Sequence, residues 1–181
     1  MVLTDKTMED SLRYPIGKCP RPKEISNETL NEWTKVIKGF PSHLKAVVKD
    51  LSNQELDIPY RKDGWTVRQL VHHLADSHMN AYLRFKLALT EKRPTIKPYE
   101  QDLWAKQPDY EGSIDPSLEI LEGVHNRWAK LLESMTPKDF EQTYIHPEYN
   151  DEYDLKESLC QYEWHCRHHL AHIELAKKQT L

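Results

Sequence analysis

The sequence predicts an all-α protein folded as a four-helix bundle, with a long connection between the second and third helices. Four stretches of the 181-residue chain carry apolar residues at helical spacing. Glycine is scarce, at 5 residues, and valine, isoleucine and threonine form no alternating runs, which argues against a Rossmann-type or all-β fold. Several long amphipathic helices with little strand are the pattern of a helical bundle.

The chain divides into an N-terminal segment and one helical domain. Residues 1–25 are predicted to be extended, because RYPIGKCPRPKEIS contains three prolines and a glycine and shows no helical period. Residues 26–181 are predicted to form a single bundle domain. Its first helix is expected over 27–52, where Pro41 should kink the helix or restart it at a new first turn.

The second helix has a clear start signal. Thr66 is followed three residues later by Gln69, which is the capping-box pattern, and apolar residues then recur from Val67 to Leu89 over about six turns. Residues 92–116 break this pattern with five prolines or glycines, and only YEQDLWA is expected to be helical there. A connection of this length in a compact domain is usually functional or mobile, so we expect it to cover part of a site.

The last two helices also begin at recognisable signals. Asp115 and Pro116 are predicted as the N-cap and first residue of the third helix, whose apolar stripe runs to Met135. A loop that includes a short hairpin is expected next, over TPKDFEQTYIHPEYNDEY. Asp154 and Glu157 form a second capping box at the start of the fourth helix.

Composition narrows the classes of function and location. The net charge of −4, with both signs interspersed, is unlike a nucleic-acid-binding surface. There is no run of about 18 apolar residues and no leader-like N-terminus, so we expect no membrane association and a cytoplasmic location. Three cysteines, an odd number in a chain of this size, argue against a disulfide framework.

The fourth helix is unusually rich in histidine, with four in the stretch WHCRHHLAHI. His165 and His169 are four residues apart at the margin of the apolar stripe, so their imidazoles lie about 6 Å apart along the axis and can converge on one cation. Two interior histidines bonded to carbonyls would produce the same pattern. His172 lies further round the helix, and His168 is predicted to be nearest to solvent.

The second helix offers candidates for a third ligand in the stretch VHHLADSH. Periodicity favours His78, which lies inside the apolar stripe, whereas His73 lies about 120° from its centre. His72 is predicted to be exposed. His125 lies in the apolar stripe of the third helix, and it too could be a buried histidine without a metal. Periodicity alone therefore leaves the third ligand open.

Two segments, PYRKDGWTVRQLVHHLADSHMNAYLRFKLALTE and YEWHCRHHLAHI, together with YPIG and YIHPE, resemble the YfiT-like branch of the DinB-like metalloenzyme superfamily. The likeness covers nearly all of the chain after about residue 13. It implies a four-helix bundle with one divalent metal, zinc or nickel, held by His73, His165 and His169. The superfamily's late motif often continues His-Arg-Gly-Gln, whereas this chain has His169-Leu170-Ala171-His172.

The resemblance also implies an activity. Members of this branch are regarded as metal-dependent hydrolases, and the resemblance implies a cytoplasmic homodimer. Related members of the superfamily are thiol S-transferases that use bacillithiol or a similar thiol. We adopt His73 as the third ligand, as the resemblance implies. A physical reason agrees with it: a metal with an open position needs access to substrate, and a cation among Leu and Phe side chains would be poorly solvated.

Three histidine ligands leave one coordination position open, which is typical of catalytic zinc. At that position a cation lowers the pKa of water to about 7 and deprotonates a thiol. Unlike the His-Glu-x-x-His motif, this chain has no glutamate between the two late ligands, and the orientations of Asp76 and Glu163 are open. Beyond the ligands, no catalytic residue and no organic cofactor site is assigned.

Three functions follow as hypotheses. The first is a metal-dependent hydrolase of a small molecule, the second a transferase that activates a low-molecular-weight thiol, and the third a non-enzymatic metal-binding protein. An open three-histidine site disfavours the third, since sensors tend to fill the coordination shell. Cys166 lies in the apolar stripe and is expected to be a core residue rather than a nucleophile.

Overall fold

A computed structural model describes residues 9–148 and 151–179 and confirms the predicted four-helix bundle. The four long helices are α1 (Asn27–Val48), α2 (Val67–Thr90), α3 (Asp115–Ser134) and α4 (Leu155–Lys177). A short hairpin, β1 (Thr143–His146) and β2 (Asp151–Asp154), precedes α4, as the sequence predicts. Single-turn helices lie at Asn53–Leu56, Gln101–Trp104, Pro108–Glu111 and Asp139–Glu141.

The packing order of the helices is not their order in the chain. Helices α1 and α2 each pack against both α3 and α4, so α1 and α2 lie at opposite corners of the bundle. The second helix and the histidine-rich fourth helix are therefore neighbours. The core between the four helices is fully buried and includes the large side chains Ile37, Leu44, Leu70, Leu74, Phe85, Leu121, Trp128, Leu159 and Ile173.

Side-chain caps fix the starts of α2 and α4. Thr66 with Gln69 and Asp154 with Glu157 each form both bonds of a capping box, which satisfies amide groups that have no partner within the helix. Helix α3 differs from the prediction, because it already includes Asp115 and has no side-chain cap. Here proline in the first turn supplies the start signal instead.

Helix α1 runs through Pro41 without restarting, and it ends at Val48 rather than near residue 52. Proline has no amide hydrogen, so the carbonyl four residues earlier, that of Ile37, lacks its helical donor. Burial of apolar residues on both sides of this position, including Ile37 and Leu44, holds the helix together.

The connection between α2 and α3 is fastened to the bundle at several points. Residue 95 pairs with Ile145 of β1, the hydroxyl of Tyr110 donates to Asp76 Oδ2 at 2.6 Å, and Arg68 Nη1 donates to the Gly112 carbonyl at 2.9 Å. Residues 9–13, within the segment predicted to be extended, are helical, and residues 1–8 lie outside the described chain. Among the described residues, no helix is both long and apolar enough to cross a membrane.

Candidate metal centre

Three imidazoles converge where α2 faces α4. His165 Nε2 lies 3.2 Å from His73 Nε2 and 3.2 Å from His169 Nε2. His73 and His169 are buried, and His165 is partly exposed. The structure thus brings together the three histidines that the resemblance implies, and the ligand atoms of the group all lie within 4.8 Å of one another.

The spacing of these nitrogen atoms matches a tetrahedral metal site. Zinc binds imidazole nitrogen at about 2.05 Å, so two ligands of a tetrahedral ion are about 3.3 Å apart. The observed 3.2 Å separations agree with that value. Imidazole is a ligand that both zinc and nickel accept. The residues therefore fit a divalent cation.

The three side chains are held in the uncharged form that metal binding requires. Burial lowers the pKa of His73 to about 3. Burial lowers the pKa of His165 and of His169 well below the usual value, and repulsion from neighbouring imidazoles adds to the effect. Neutral imidazoles keep a lone pair for the cation and leave its full charge available at the open position.

Further histidines stand behind two of the three ligands. His165 Nδ1 contacts His78 Nε2 at 3.1 Å, and His78 Nδ1 contacts His125 Nε2 at 2.7 Å. His169 Nδ1 contacts His172 Nδ1 at 3.3 Å. His78 and His125 are fully buried, so periodicity identified them correctly as interior residues.

Two histidines predicted to be accessible are buried. His72 is 6% exposed, because Ser117 of α3 bonds its Nδ1 at 2.7 Å and Tyr110 of the connection covers its ring. His168 is 7% exposed and stacks on Trp164, with ring centroids 4.2 Å apart. Both predictions were wrong: Ser117 of α3 and Tyr110 of the connection cover His72, and Trp164 of α4 together with Tyr14 of the N-terminal segment covers His168.

A second group of histidines could also hold a cation. It consists of His168, His169 and His172, and it shares His169 with the first group. His172 Nε2 is already bonded to the Arg13 carbonyl at 3.2 Å, and its ring stacks on Tyr60 at 3.9 Å. We therefore interpret His172 as a support for His169 rather than as a ligand of its own.

Two cavities meet at the three-histidine group. One, of about 330 Å³, is lined by His73 and His165 together with Arg84 and several tyrosines. The other, of about 370 Å³, is lined by all three candidate ligands and by Arg13 and Arg61. The exposed residues Gln101 and Asp102 line both cavities. The connection thus forms part of the wall of both cavities, as expected for residues 92–116.

The acidic residues considered as bases are engaged elsewhere. Asp76 accepts from Tyr110, and Glu163 is bonded to Arg167 at 2.6 and 2.8 Å; neither lines the two cavities. Cys166 is fully buried, and burial raises the pKa of its thiol well above the usual value. As expected, it is a core residue.

Arg84 was missed by the sequence analysis, although its spacing could have revealed it. It follows His73 by eleven residues, which is close to three helical turns and places both on one face of α2.

Comparison with known proteins identifies the family. The DinB superfamily profile matches residues 38–173. The chain belongs to the DinB superfamily.

Relatives within this superfamily cover almost the whole chain. A protein of Bacillus cereus named "Putative metal-dependent hydrolase" is 49% identical over 170 residues, covering 94% of this chain and 98% of the relative. A Bacillus mycoides protein of the same name is 50% identical over 162 residues, covering 90% of this chain and 93% of the relative.

Solved structures support the same assignment. YfiT from Bacillus subtilis, described as a probable metal-dependent hydrolase with an unusual four-helix bundle topology, superposes with a TM-score of 0.91 at 42% identity. The match covers 94% of this chain and 98% of YfiT. TT2238, a four-helix bundle protein, has a TM-score of 0.52 at 16% identity over 81% of this chain and 96% of its own, which supports the shared fold only.

The DinB-type site yields a test that separates His73 from His78. We expect His73→Ala to abolish stoichiometric metal binding while the bundle stays folded, because the protein loses one of three converging nitrogens. We expect His78→Ala to keep one equivalent of metal but to lower the unfolding free energy by about 2–4 kcal/mol, since it empties a fully buried site. Elemental analysis and chemical denaturation measure both. Metal lost with His78 but retained without His73 would contradict the assignment.

Proposed function

We propose that this protein is a metal-dependent hydrolase of a small-molecule substrate, with His73, His165 and His169 holding one zinc or nickel ion per chain. The convergence of three uncharged imidazoles carries the proposal: His165 Nε2 lies 3.2 Å from both His73 Nε2 and His169 Nε2, and the ligand atoms of the group all lie within 4.8 Å of one another. The names of the Bacillus relatives support the same reaction class. The cytoplasmic location and the homodimer implied by the resemblance belong to this proposal.

The cation supplies Lewis acidity at the coordination position that the three histidines leave open. The protein supplies the surroundings of that position. His73 and His165 line both cavities, so a substrate in either one lies beside two of the proposed ligands. Tyr60 and Arg61 also line the larger cavity, where the Tyr60 hydroxyl accepts from Arg61 Nε at 3.2 Å.

One observation favours thiol transfer as a second candidate. Within the described chain, no buried carboxylate lines either cavity, and Asp76 and Glu163 are bonded to other partners. A hydrolase at this site has no obvious carboxylate to act as general base. A thiol transferase has less need of one, since coordination to the metal is enough to deprotonate a thiol.

The two candidates separate in one experiment. Protein loaded with zinc or nickel is tested against a panel of esters and amides, with and without added cysteine as the thiol. For the hydrolase we expect turnover without thiol that disappears in His73→Ala and on chelation. Turnover that requires the thiol would favour the transferase, and turnover that survives both chelation and His73→Ala would contradict a metal-dependent enzyme.

The connection gives a second prediction. Gln101 and Asp102 line both cavities and are exposed, so we expect replacing them with alanine to change kcat or KM by several-fold while Tm stays the same. Leu103→Ala is the matched control, because Leu103 is 54% exposed on the same helical turn and lines neither cavity. Equal kinetics in all three variants would show that this turn is only a tether.

A further inference from the structure

A chain of three imidazoles runs from the partly exposed candidate ligand His165, through the fully buried His78 and His125, to a backbone carbonyl of α1. The contacts are His165 Nδ1 to His78 Nε2 at 3.1 Å, His78 Nδ1 to His125 Nε2 at 2.7 Å, and His125 Nδ1 to the Ile37 carbonyl at 2.5 Å. We call this the α1 relay. Its last member is an oxygen that can only accept.

That acceptor fixes the direction of every bond in the α1 relay. A neutral imidazole carries one N–H and one lone pair. His125 must donate from Nδ1 to the carbonyl, so its Nε2 accepts from His78 Nδ1. His78 Nε2 then accepts from His165 Nδ1. The proton of His165 therefore lies on Nδ1, and its Nε2 lone pair faces His73 and His169.

The apolar surroundings of the α1 relay favour the uncharged form of its imidazoles. His78 and His125 are fully buried, and the residues around them are mainly Phe40, Trp128 and Tyr162. Burial lowers the pKa of His125 to about 4. An extra proton in this chain would place a charge in an apolar core without a counter-ion.

The carbonyl at the end of the α1 relay is available because of Pro41. In a regular helix the amide of residue 41 would bond the Ile37 carbonyl, and proline has no such amide. His125 replaces the missing donor. The proline inside α1 and the histidine inside α3 thus satisfy each other.

A shorter chain stands behind His169. His172 Nε2 donates to the Arg13 carbonyl at 3.2 Å, so its Nδ1 accepts from His169 Nδ1 at 3.3 Å, and the His169 Nε2 lone pair also faces inward. His73 is different, because its buried Nδ1 has no partner among the described residues. The facing nitrogens of His165 and His169 both lack hydrogen, so a cation rather than a hydrogen bond suits the 3.2 Å between them.

We propose that His78 and His125 are positioning residues that hold His165 in its metal-binding tautomer, through the Ile37 carbonyl that Pro41 leaves free. Partners of this kind behind a ligand typically change metal affinity by about 10–100-fold. In this chain the partner of His165 is another histidine, His78. The bond that decides which nitrogen of His165 carries the proton is the one from His125 to the Ile37 carbonyl.

The test measures zinc affinity by competition with a chelator. We expect His125→Leu to weaken zinc binding at least tenfold, because His78 loses its acceptor and can turn its proton toward His165. His125→Gln should bind more tightly than His125→Leu, since its amide can donate to the carbonyl and accept from His78. His72→Leu is the control: it removes a buried, hydrogen-bonded histidine of α2 that lies outside the α1 relay.

A spectroscopic readout distinguishes positioning from general destabilisation. Nitrogen-15 NMR of the metal-free protein should show His165 protonated at Nδ1, and this state should be lost in His125→Leu but kept in His72→Leu. Wild-type affinity in His125→Leu, or equal weakening in His72→Leu, would overturn the proposal.

A second variant applies if His125→Leu does not fold. Pro41→Ala returns an amide to the Ile37 carbonyl, so the metal-free helix should become more stable while zinc affinity falls. Because a carbonyl has two lone pairs, the new amide competes with His125 without excluding it, and zinc affinity that stays the same or rises in Pro41→Ala would overturn the role assigned to Pro41.

An independent observation concerns Arg84, which lines the 330 Å³ cavity beside His73 and His165. Its Nη1 donates to the Tyr162 hydroxyl at 3.1 Å, which fixes the guanidinium. Its Nε is buried and has no partner, and no carboxylate pairs with Arg84 within the described chain. Nε and Nη2 have no protein acceptor within the described chain and together form a two-donor fork, of which Nε itself is shielded from solvent.

A fork of this kind matches the two oxygens of a carboxylate. The acidic residues at the cavity, Glu100, Asp102 and Glu148, are exposed and form no bond with Arg84. The positive charge of Arg84 acts on Tyr99 and Tyr144: burial raises the pKa of both phenols, and the charge of Arg84 opposes that rise. Resting on the proposed function, we infer that the substrate carries a carboxylate that binds Arg84 while its reacting group faces the metal.

Thiols that differ only at their far end test this inference on cobalt-loaded protein. We expect 3-mercaptopropionate to bind about tenfold more tightly than 3-mercaptopropanol, as followed by the cobalt absorption bands. Arg84→Met should remove the difference. Arg127→Met is the control, since Arg127 lies over Tyr82 and lines neither cavity. Equal binding of acid and alcohol to the wild type, or a preference that survives Arg84→Met, would overturn the anion site.

Metal-free protein separates the two proposals. Glutarate should shift the Arg84 Nε–H resonance in NMR, whether or not a metal is bound. If this shift occurs and neither thiol binds the cobalt protein, the open coordination position of the proposed function is wrong and the anion site stands. If glutarate leaves the resonance unchanged, the anion site is wrong.

Discussion

The imidazoles of the α1 relay, which bond to one another and to a backbone carbonyl, are the constraint on which the rest of this structure depends. Each neutral ring brings one donor and one acceptor into the interior, and each must be satisfied. In each chain of bonded imidazoles a backbone carbonyl accepts the last proton, so the nitrogen at the opposite end of the chain keeps a lone pair without a hydrogen. At His165 and His169 these lone pairs face each other at 3.2 Å. The cation of the proposed function would satisfy both lone pairs, which links the hydrogen bonds of the polar core to the proposed metal centre.

The diagonal arrangement of α1 and α2 makes this solution possible. Because α2 packs between α3 and α4, a single turn of α2 carries His73 next to α4, while His78, about one turn later, contacts both His125 of α3 and His165 of α4. The far corner, α1, supplies the terminal carbonyl through Ile37. All four helices thus contribute to the orientation of one ligand, which links the packing of the bundle to the chemistry of its centre.

Much of the fold could be predicted because its signals are local. The capping boxes at Thr66 and Asp154 set the starts of α2 and α4. The apolar period within each of the four stretches predicted an amphipathic helix, and four such helices predicted the bundle. The wrong predictions concern residues whose burial or helical state depends on segments that are distant in the sequence. Tyr110 of the α2–α3 connection covers His72, and Tyr14 of the N-terminal segment covers His168 together with Trp164 of the same helix. The helical wheels of α2 and α4 contain neither Tyr110 nor Tyr14. Pro41 looked like an interruption because its compensating partner, His125, is 84 residues away in the sequence.

The conflict between His73 and His78 has a physical explanation. A position inside the apolar stripe suits a neutral ring whose two nitrogens both meet protein atoms, and His78 meets His125 and His165 in this way. A ligand needs one nitrogen directed away from the packed seam, toward a cavity, and His73 at the flank of the stripe lines both cavities. Periodicity measures burial and therefore selected the interior residue His78, whereas the proposed ligand is His73. The choice between the two histidines depends on where the lone pair points, and that direction follows from the chain of bonds ending at the Ile37 carbonyl rather than from the helical angle of either residue.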